Sequence, residues 1–463
     1  MRHMIPFRGR RSASAMLTWS QGQVWNDIQW MLPDRAFFDI WLAVPMPEGA
    51  RLPHLTGQIA ELVGRHESLR TLYTADRQLV LATGEVEVEV LTDVSDAAFD
   101  EALADWRGRG FDTAREVPIR FLVRYGTARP ATVALCTSHL AADHASQRLL
   151  VAELRELVEA AVAGSPPPPR RPAQQPVDQA IRERSPAGEQ VCDRAVEHWR
   201  RQLLAAPRSM FPVRHTMAGE WPRFWRGERI SRAVPMALAV LASRYRSGPS
   251  SVLLAAVAAL LGRSTGQRAC TLRMVVDNRE LPESRFMIST PTQESVATLA
   301  LDQDSFAGLV RAAWRASVLA HRHGRCDPDR VEAVIDEVRR TRGDTLELNT
   351  FFNDTWSAFQ PSATASPDPA AVRAAVADSR FRWTERYDRD NVDFFFTTYD
   401  LAESTELISM SLLVDTRTVT AEGAEEFLRR VEALLVALSA DGADAKPSDL
   451  DPVAGFSTVE VAG

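Results

Sequence analysis

The sequence has few cysteines, a single lysine and no long apolar run. Its 463 residues include four cysteines that lie far apart without a CxxC pairing: Cys136, Cys192, Cys270 and Cys326. This spacing argues against a disulfide framework and against a structural zinc site. Lys446 is the only lysine among 54 basic residues, a bias that a GC-rich coding sequence explains better than function does.

The longest apolar run, SVLLAAVAALL at residues 251–261, is too short to cross a bilayer, and Arg263 and Arg268 follow it closely. It predicts a buried helix. The first residues, MRHMIPFRGRRSASAM, contain arginines but no apolar stretch typical of a secretion signal. We therefore expect a cytoplasmic protein that does not act on a membrane. A formal net charge of -7 argues against nucleic-acid binding.

Two segments of biased composition divide the chain. Residues 164–176, GSPPPPRRPAQQP, contain prolines that cannot continue a helix and favour an extended linker. The chain from about residue 440 onward is rich in Ala, Asp, Gly and Pro and has no sustained periodicity. We therefore predict an N-terminal lobe at 14–176, a C-terminal lobe at 177–440 and a flexible tail at 441–463.

Both halves contain strand and helix patterns without strict alternation. Residues 131–137 and 394–399 predict strands, and residues 147–162 and 421–438 carry apolar side chains at helical spacing. This mixture predicts an α+β fold, or an α/β fold with mixed sheets.

The segment from Ser138 to His144, SHLAADH, follows a predicted buried strand and precedes a helix. Strand ends that lead into loops commonly carry catalytic side chains, because the strand fixes the backbone and the loop exposes the residue. His139 can take up and release a proton near neutral pH. It is therefore the candidate catalytic residue.

Other interpretations of this segment compete. A Ser-His-Asp triad is excluded, because adjacent residues leaving a strand point to opposite sides and the sequence has no GxSxG turn. A metal site made by His139, Asp143 and His144 matches no common zinc spacing. His321, His323 and Cys326 of HRHGRC fit a solvated loop better than a metal site, so we expect no metal. His139 as a histidine with a purely structural role at a strand end remains open.

The segment resembles the HHxxxDG motif of condensation domains in nonribosomal peptide synthetases, and more broadly the HxxxD signature of the chloramphenicol acetyltransferase-like superfamily. Other stretches of the sequence resemble the family's remaining motifs, and they occur in the same order as in the family, over about residues 14–440. These stretches are LTWSQGQVWNDIQW, RHESLRT, FDTAREVPIRFLV, VEHWRRQLLAAP, DNRELPE, FFND and FLRRVEALLVAL. The resemblance implies two chloramphenicol acetyltransferase-like lobes in a V-shaped arrangement with a tunnel between them.

The resemblance also implies a function. A carrier protein would present an acyl thioester on its phosphopantetheine arm, and a small amine or alcohol would attack it at His139. We expect a stand-alone, monomeric condensation enzyme that forms an amide or ester, works with the carrier in trans and binds no cofactor itself. The alternatives are a catalytically degenerate domain that recruits tailoring enzymes or carrier proteins, an epimerase relative, and an acyltransferase that uses free acyl-CoA.

The family pattern assigns roles to further residues. Asp143 would pair with Arg279 and pin the histidine loop, and Asn353 would hydrogen-bond the substrate, unless it only forms a strand-end turn. Ser138 replaces the motif's first histidine, a supporting position. His144 replaces the motif's glycine, so it either narrows the tunnel, adds a second titrating group or marks a domain that no longer catalyses.

Overall fold

The computed structural model describes residues 1–126, 130–212, 221–356, 367–401, 404–441 and 445–457. They form two compact units. The first comprises residues 1–193, 277–293 and 325–328, and the second comprises 194–276, 294–324 and 329–463. Two short segments from the second half of the sequence therefore belong to the first unit.

The first unit contains two sheets. Its strands are β1 (Arg2–Arg8), β2 (Ala13–Met16), β3 (Ile40–Pro45), β4 (Thr71–Tyr73), β5 (Arg77–Val80), β6 (Thr83–Thr92), β7 (Ile119–Tyr125) and β8 (Thr132–Thr137). Its helices are α1 (Trp19–Met31), α2 (Leu52–Arg65), α3 (Asp96–Arg107), α4 (His144–Val162) and α5 (Pro176–Glu183), and α6 (Pro186–Ala205) begins in it. The five-stranded sheet has the order β1-β6-β7-β8-β3, in which β6 and β7 are parallel, and β2-β5-β4 form a small antiparallel sheet.

Strand β8 lies inside the five-stranded sheet and is buried on both faces. Val133 and Leu135 pack in the cluster that contains the apolar sides of α2 and α4, whereas Ala134 and Cys136 pack with α3. Because side chains alternate between the two faces of a strand, both faces must be covered to bury such a continuous apolar sequence. The strand therefore provides a rigid base for the loop that follows it.

The second unit is built on one seven-stranded sheet. Its strands are β9 (Phe224–Ser231), β10 (Ala269–Val276), β11 (Gln293–Ala300), β12 (Thr350–Asp354), β13 (Arg380–Tyr387), β14 (Phe394–Leu401) and β15 (Ser404–Asp415), in the order β11-β10-β12-β14-β15-β9-β13. Its helices are α7 (Ala233–Tyr245), α8 (Pro249–Thr265), α9 (Phe306–Arg322), α10 (Pro328–Arg342), α11 (Pro369–Ala374) and α12 (Ala421–Asp441). Parallel and antiparallel neighbours both occur, which confirms the predicted mixed-sheet fold class.

The apolar run at 251–261 lies in α8 and is buried throughout, and its residues 252–261 belong to the main core of the second unit. Its helix is surrounded by protein, as the sequence predicts. Within the described part of the chain, no helix is both long and apolar enough to span a membrane.

The two units do not follow the predicted boundary at residue 176. The proline-rich segment leads into α5, where Val177 and Ala180 pack against Ala15 and Val80 of the small sheet. The first unit consequently extends to Asp193. The proline content indicated an extended segment. It gave no information about the apolar contacts that hold α5 against the small sheet of the first unit.

The predicted flexible tail at 441–463 is also different in the structure. Val453 and Phe456 are buried in the core of the second unit, and Phe456 forms a β-bridge with Val419. Two isolated apolar residues among polar ones give no periodic signal, which is why the sequence did not predict this packing. Residues 442–444 and 458–463 lie outside the described part of the chain.

Candidate active site

The loop that carries His139 is held at both ends. Strand β8 is hydrogen-bonded to β7 on one side and to β3 on the other, and it ends at Thr137. The Ser138 backbone N–H donates to the Pro118 carbonyl at 3.0 Å, and the Ser138 side chain is buried. Helix α4 begins at His144, with Asp143 as its N-cap. The loop therefore spans only a few residues between two fixed elements.

The His139 ring is half-buried, and its hydrogen bonds select one tautomer. Nδ1 lies 3.1 Å from the Ala142 carbonyl oxygen and 3.4 Å from the Thr290 hydroxyl oxygen. A carbonyl oxygen only accepts, so Nδ1 must carry the proton and donate it to Ala142. In the neutral ring, Nε2 then keeps its lone pair and can accept a proton from another molecule.

Burial lowers the pKa of His139 below its ordinary value, and the nearby Asp143 carboxylate offsets only part of this effect. Removing the ring from water disfavours the imidazolium form. The neutral form is therefore favoured at neutral pH, as a proton acceptor requires.

Asp143 is almost fully buried and uses both carboxylate oxygens. Oδ1 accepts from the Arg279 Nη2 and from the Ser146 backbone N–H, each at 2.7 Å, and Oδ2 accepts from the Thr292 hydroxyl at 3.0 Å. Burial alone would raise the pKa of Asp143, but the Arg279 charge and the Ser146 hydrogen bonds outweigh it and lower the pKa. Asp143 is therefore a carboxylate that points away from solvent and holds the loop.

The residues that Arg279 contacts lie at both sides of the loop. Besides Asp143, its Nη2 donates to the Ser146 hydroxyl at 2.8 Å, and its Nη1 donates to the carbonyls of Met287 at 2.8 Å and Ser284 at 3.3 Å. The guanidinium thus joins the start of α4 to the segment 277–293. The structure brings Asp143 and Arg279 together within the first unit, although 136 positions separate them in the sequence.

The segment 277–293 contributes more contacts than the sequence indicated. The Ser289 carbonyl accepts from the Asp143 backbone N–H at 3.0 Å and from the Ser146 hydroxyl at 2.6 Å. Ser146, Ser289, Thr290 and Thr292 were not among the predicted site residues. The run STPT at 289–292 was the available signal, because closely spaced hydroxyls suit a loop that must satisfy buried polar groups.

His144 occupies the first position of α4 and is exposed to solvent. Surrounding protein atoms nonetheless lower the pKa of His144, and the neighbouring His139 lowers it further. The backbone at this position is helical and does not have a positive φ. Glycine is therefore not required here by conformation, and the imidazole affects only the space and charge near His139.

Asn353 belongs to the second unit. It lies on β12, is half-buried, and stands opposite Thr397 of β14 in the parallel register. A role for Asn353 in substrate binding stays a prediction. Among the described residues, no group of three or more His, Cys, Asp or Glu side chains could hold a metal ion.

Similarity to known proteins gives a second line of information about this chain, beside its geometry. The family model described as "Condensation domain" matches residues 14–326. The chain is 29% identical over 226 residues to CymA of Salinispora arenicola, a probable non-canonical nonribosomal peptide synthetase. The alignment covers 46% of this chain and 3% of that protein. It is 25% identical over 449 residues to the phosphinothricin tripeptide synthetase PhsC of Streptomyces viridochromogenes, covering 89% of this chain and 40% of that protein. The chain thus spans less than half the length of either relative.

A solved structure with a similar fold is the complex of the X-domain and OxyB from teicoplanin biosynthesis. The TM-score is 0.68 at 17% identity, and the alignment covers 96% of each chain. At this identity the similarity concerns the fold alone.

Proposed function

The chain belongs to the condensation-domain family, and on this premise we propose that it transfers an acyl group from a carrier-protein thioester to a nucleophilic acceptor. The product is an amide when the acceptor is an amine and an ester when it is an alcohol. The position of His139 carries the proposal: a half-buried imidazole with its Nδ1 proton engaged and its Nε2 lone pair available.

In this reaction the acceptor nitrogen, or the oxygen of an alcohol, attacks the thioester carbonyl carbon and the carbon–sulfur bond breaks. The sulfur of the carrier's phosphopantetheine arm takes up the proton that the acceptor loses and leaves as the free thiol. His139 Nε2 accepts the proton that the attacking nitrogen loses, or orients that nitrogen for attack. A thioester is already activated, so holding the two reactants together supplies much of the rate enhancement. Asp143 and Arg279 act as positioning residues that hold the loop in place.

The experiment is acyl transfer with a separately purified, acyl-loaded carrier protein and a panel of amines and alcohols, followed by mass spectrometry. We expect product with the wild-type protein and none above background with His139→Ala. His321→Ala is the matched control, because His321 is an exposed histidine at the end of α9. Equal activity of the wild type and His139→Ala would refute a catalytic role for the imidazole.

The donor requires its own test, because related acyltransferases use free acyl-CoA. We propose a carrier-tethered donor, supplied in trans. A reaction that proceeds with the loaded carrier and fails with the same acyl group on coenzyme A supports this assignment. The opposite preference would place the chain with the acyl-CoA-dependent enzymes instead.

A second candidate is a non-catalytic domain that recruits another enzyme. His144 at the position of the motif's glycine favours it, because an added imidazole beside His139 changes both space and charge. The similar X-domain was solved in complex with OxyB, so a domain of this fold can bind another protein. Absence of transfer with every donor and acceptor, together with stable binding of a tailoring enzyme, would favour this candidate.

A further inference from the structure

A large cleft lies in the first unit, away from the residues discussed above. Its volume is about 720 Å³, and its walls come from three stretches that are distant in sequence, 10–11, 65–70 and 170–178, and from Glu153 of α4. This volume is in the range typical of small-molecule sites. The arginine-containing amino terminus and the proline-rich segment, which are distant in sequence, meet here.

The lining is strongly basic. Six arginines line the cleft: Arg10, Arg11, Arg65, Arg70, Arg170 and Arg171. The acidic side chains in the lining are Glu67, Glu153 and Asp178. The positive charge of the walls therefore exceeds the negative charge, even where one acidic group contacts more than one arginine.

The acidic groups are already engaged, beginning with Glu67 and Asp178. Arg11 Nε donates to Glu67 at 2.7 Å, and its Nη2 donates to both carboxylate oxygens of Asp178 at 2.9 and 3.0 Å. The hydrogen bond to Glu67, followed by that to Asp178, raises the pKa of Arg11. One arginine thus occupies two of the three carboxylates.

Glu153 is shared by two other basic side chains. It accepts from Arg65 Nη1 at 2.9 Å and from His66 Nε2 at 2.7 Å. Burial alone would raise the pKa of Glu153, but the hydrogen bonds and charges of His66 and Arg65 lower it to about 2. Arg65 also donates to Glu61 and to the Pro168 carbonyl, so each of its three nitrogens already has a partner.

Arg10 and Arg170 differ from the other arginines of the cleft in their ionic contacts. Arg170 donates to the Gly64 carbonyl at 3.0 Å, and among the residues that the structure describes neither arginine forms an ion pair. Burial lowers the pKa of Arg170 and the charges of Arg10 and Arg65 lower it further, and the charges of Glu61 and Glu153 offset only part of this effect. Like charges that crowd one another in this way are stabilised by an anion placed between them.

Buried contacts of Arg70 hold the backbone of the amino-terminal arginines at the cleft. Arg70 is fully buried and donates to the carbonyls of Arg11 and Leu81. The chain passes over it at Gly9, where a Cβ would collide with the Arg70 guanidinium. Gly9 therefore permits the close approach that brings Arg10 and Arg11 to the cleft.

We propose that this cleft binds a small molecule that carries a phosphate or diphosphate group, held between Arg10 and Arg170. The planar guanidinium group matches phosphate oxygens in a two-point fork. A group with two or more negative charges compensates both arginines at once, which a single carboxylate does not. The site is separate from His139 and does not depend on the acyl-transfer function.

Isothermal titration calorimetry tests the proposal with the full chain at constant ionic strength. The probes are inorganic phosphate, inorganic pyrophosphate and adenosine 5′-diphosphate, with acetate as the monoanion. We expect pyrophosphate or the nucleotide to bind and acetate not to bind. Tighter binding of inorganic pyrophosphate identifies a free anion as the ligand class, and tighter binding of the nucleotide identifies a phosphate ester.

Variants distinguish the cleft from general surface charge. The double substitution Arg10→Ala/Arg170→Ala should weaken binding at least tenfold. Arg2→Ala/Arg115→Ala, which removes arginines whose side chains are 61% and 86% exposed elsewhere on the same unit, should change it less than twofold. Arg10→Lys/Arg170→Lys keeps the charge and should retain part of the affinity even if the alanine variant folds poorly. No binding by the wild type, equal binding of acetate, or equal losses in both alanine variants would overturn the proposal.

Discussion

Removing Arg279 should destabilise the first unit more than removing one partner of an exposed ion pair does. Arg279→Ala leaves the buried Asp143 carboxylate with the Ser146 N–H and the Thr292 hydroxyl but without its cation. Breaking a buried ion pair by removing one partner typically costs about 3–5 kcal/mol. For a unit of roughly 200 residues this corresponds to a fall in Tm of about 6–20 °C.

Asp143→Ala should have a cost of similar size for a different reason. It removes the N-cap of α4, worth about 1 kcal/mol by itself, and leaves the Arg279 guanidinium buried with carbonyl and hydroxyl partners only. We expect Asp143→Ala to reduce soluble yield at least as much as activity. Soluble, fully folded and inactive Asp143→Ala protein would contradict a structural role for this carboxylate.

The matched control is an exposed ion pair on the same unit. Arg182 Nη1 lies 2.6 Å from Glu283, with side chains 49% and 41% exposed, and Glu283 belongs to the same segment as Arg279. Arg182→Ala should change the Tm far less than Arg279→Ala, because solvent screens an exposed pair. Differential scanning calorimetry gives the Tm values. Hydrogen exchange at the start of α4 and in residues 287–292 shows whether the loop opens.

The pH dependence provides a second readout. The folded-state pKa of Asp143 is lowered, so its stabilising contribution is present above the unfolded value near 4 and is lost as the pH falls through the folded value. This loss on acidification should be smaller in Arg279→Ala. If Arg279→Ala and Arg182→Ala lower the Tm equally and have the same pH profile, the ion pair does not hold the loop.

Three further outcomes are expected. Because burial lowers the pKa of His139, single-turnover acyl transfer should stay near its maximum down to pH values below about 6.5 before it declines, and a decline centred above 6.5 would argue against His139 as the titrating base. Glu183 accepts from the Trp19 backbone N–H at 2.8 Å, and burial raises the pKa of Glu183 to about 7. The wild type should therefore lose stability relative to Glu183→Gln as the pH rises from 4.5 to 7. If the Tm values of the two proteins change equally with pH, this expectation is wrong. His144→Gly should cost at most about 1 kcal/mol of helix stability and should increase turnover of bulky donors, measured as kcat/KM across a donor series.

The sequence predicted those features that depend on local pattern. The apolar run of β8 and the helical spacing of α4 placed His139 between a buried strand and a helix, and the structure has this order. The pairing of Asp143 with Arg279 is non-local, so no periodicity indicates it. It followed only from the resemblance to a family pattern.

The sequence did not predict that segments from the second half of the chain belong to the first unit. Residues 277–293 lie beyond the proline-rich segment, and composition alone assigned them to the C-terminal lobe. Their membership of the first unit rests on hydrogen bonds to single side chains such as Ser146, and on the burial of Ile288 in the core of that unit. Contacts of this kind depend on the three-dimensional course of the chain, which hydrophobic patterning does not encode.

The two departures from the family motif have different physical consequences. Ser138 is fixed by its backbone N–H and its side chain is buried, so a second imidazole is not needed to hold this end of the loop. His144 has an ordinary helical backbone, so the loss of glycine introduces no strain. Any effect of His144 on function must therefore arise from the volume or the charge of its ring. The surrounding protein atoms and the neighbouring His139 lower the pKa of His144, which weakens the contribution of ring charge relative to that of ring volume.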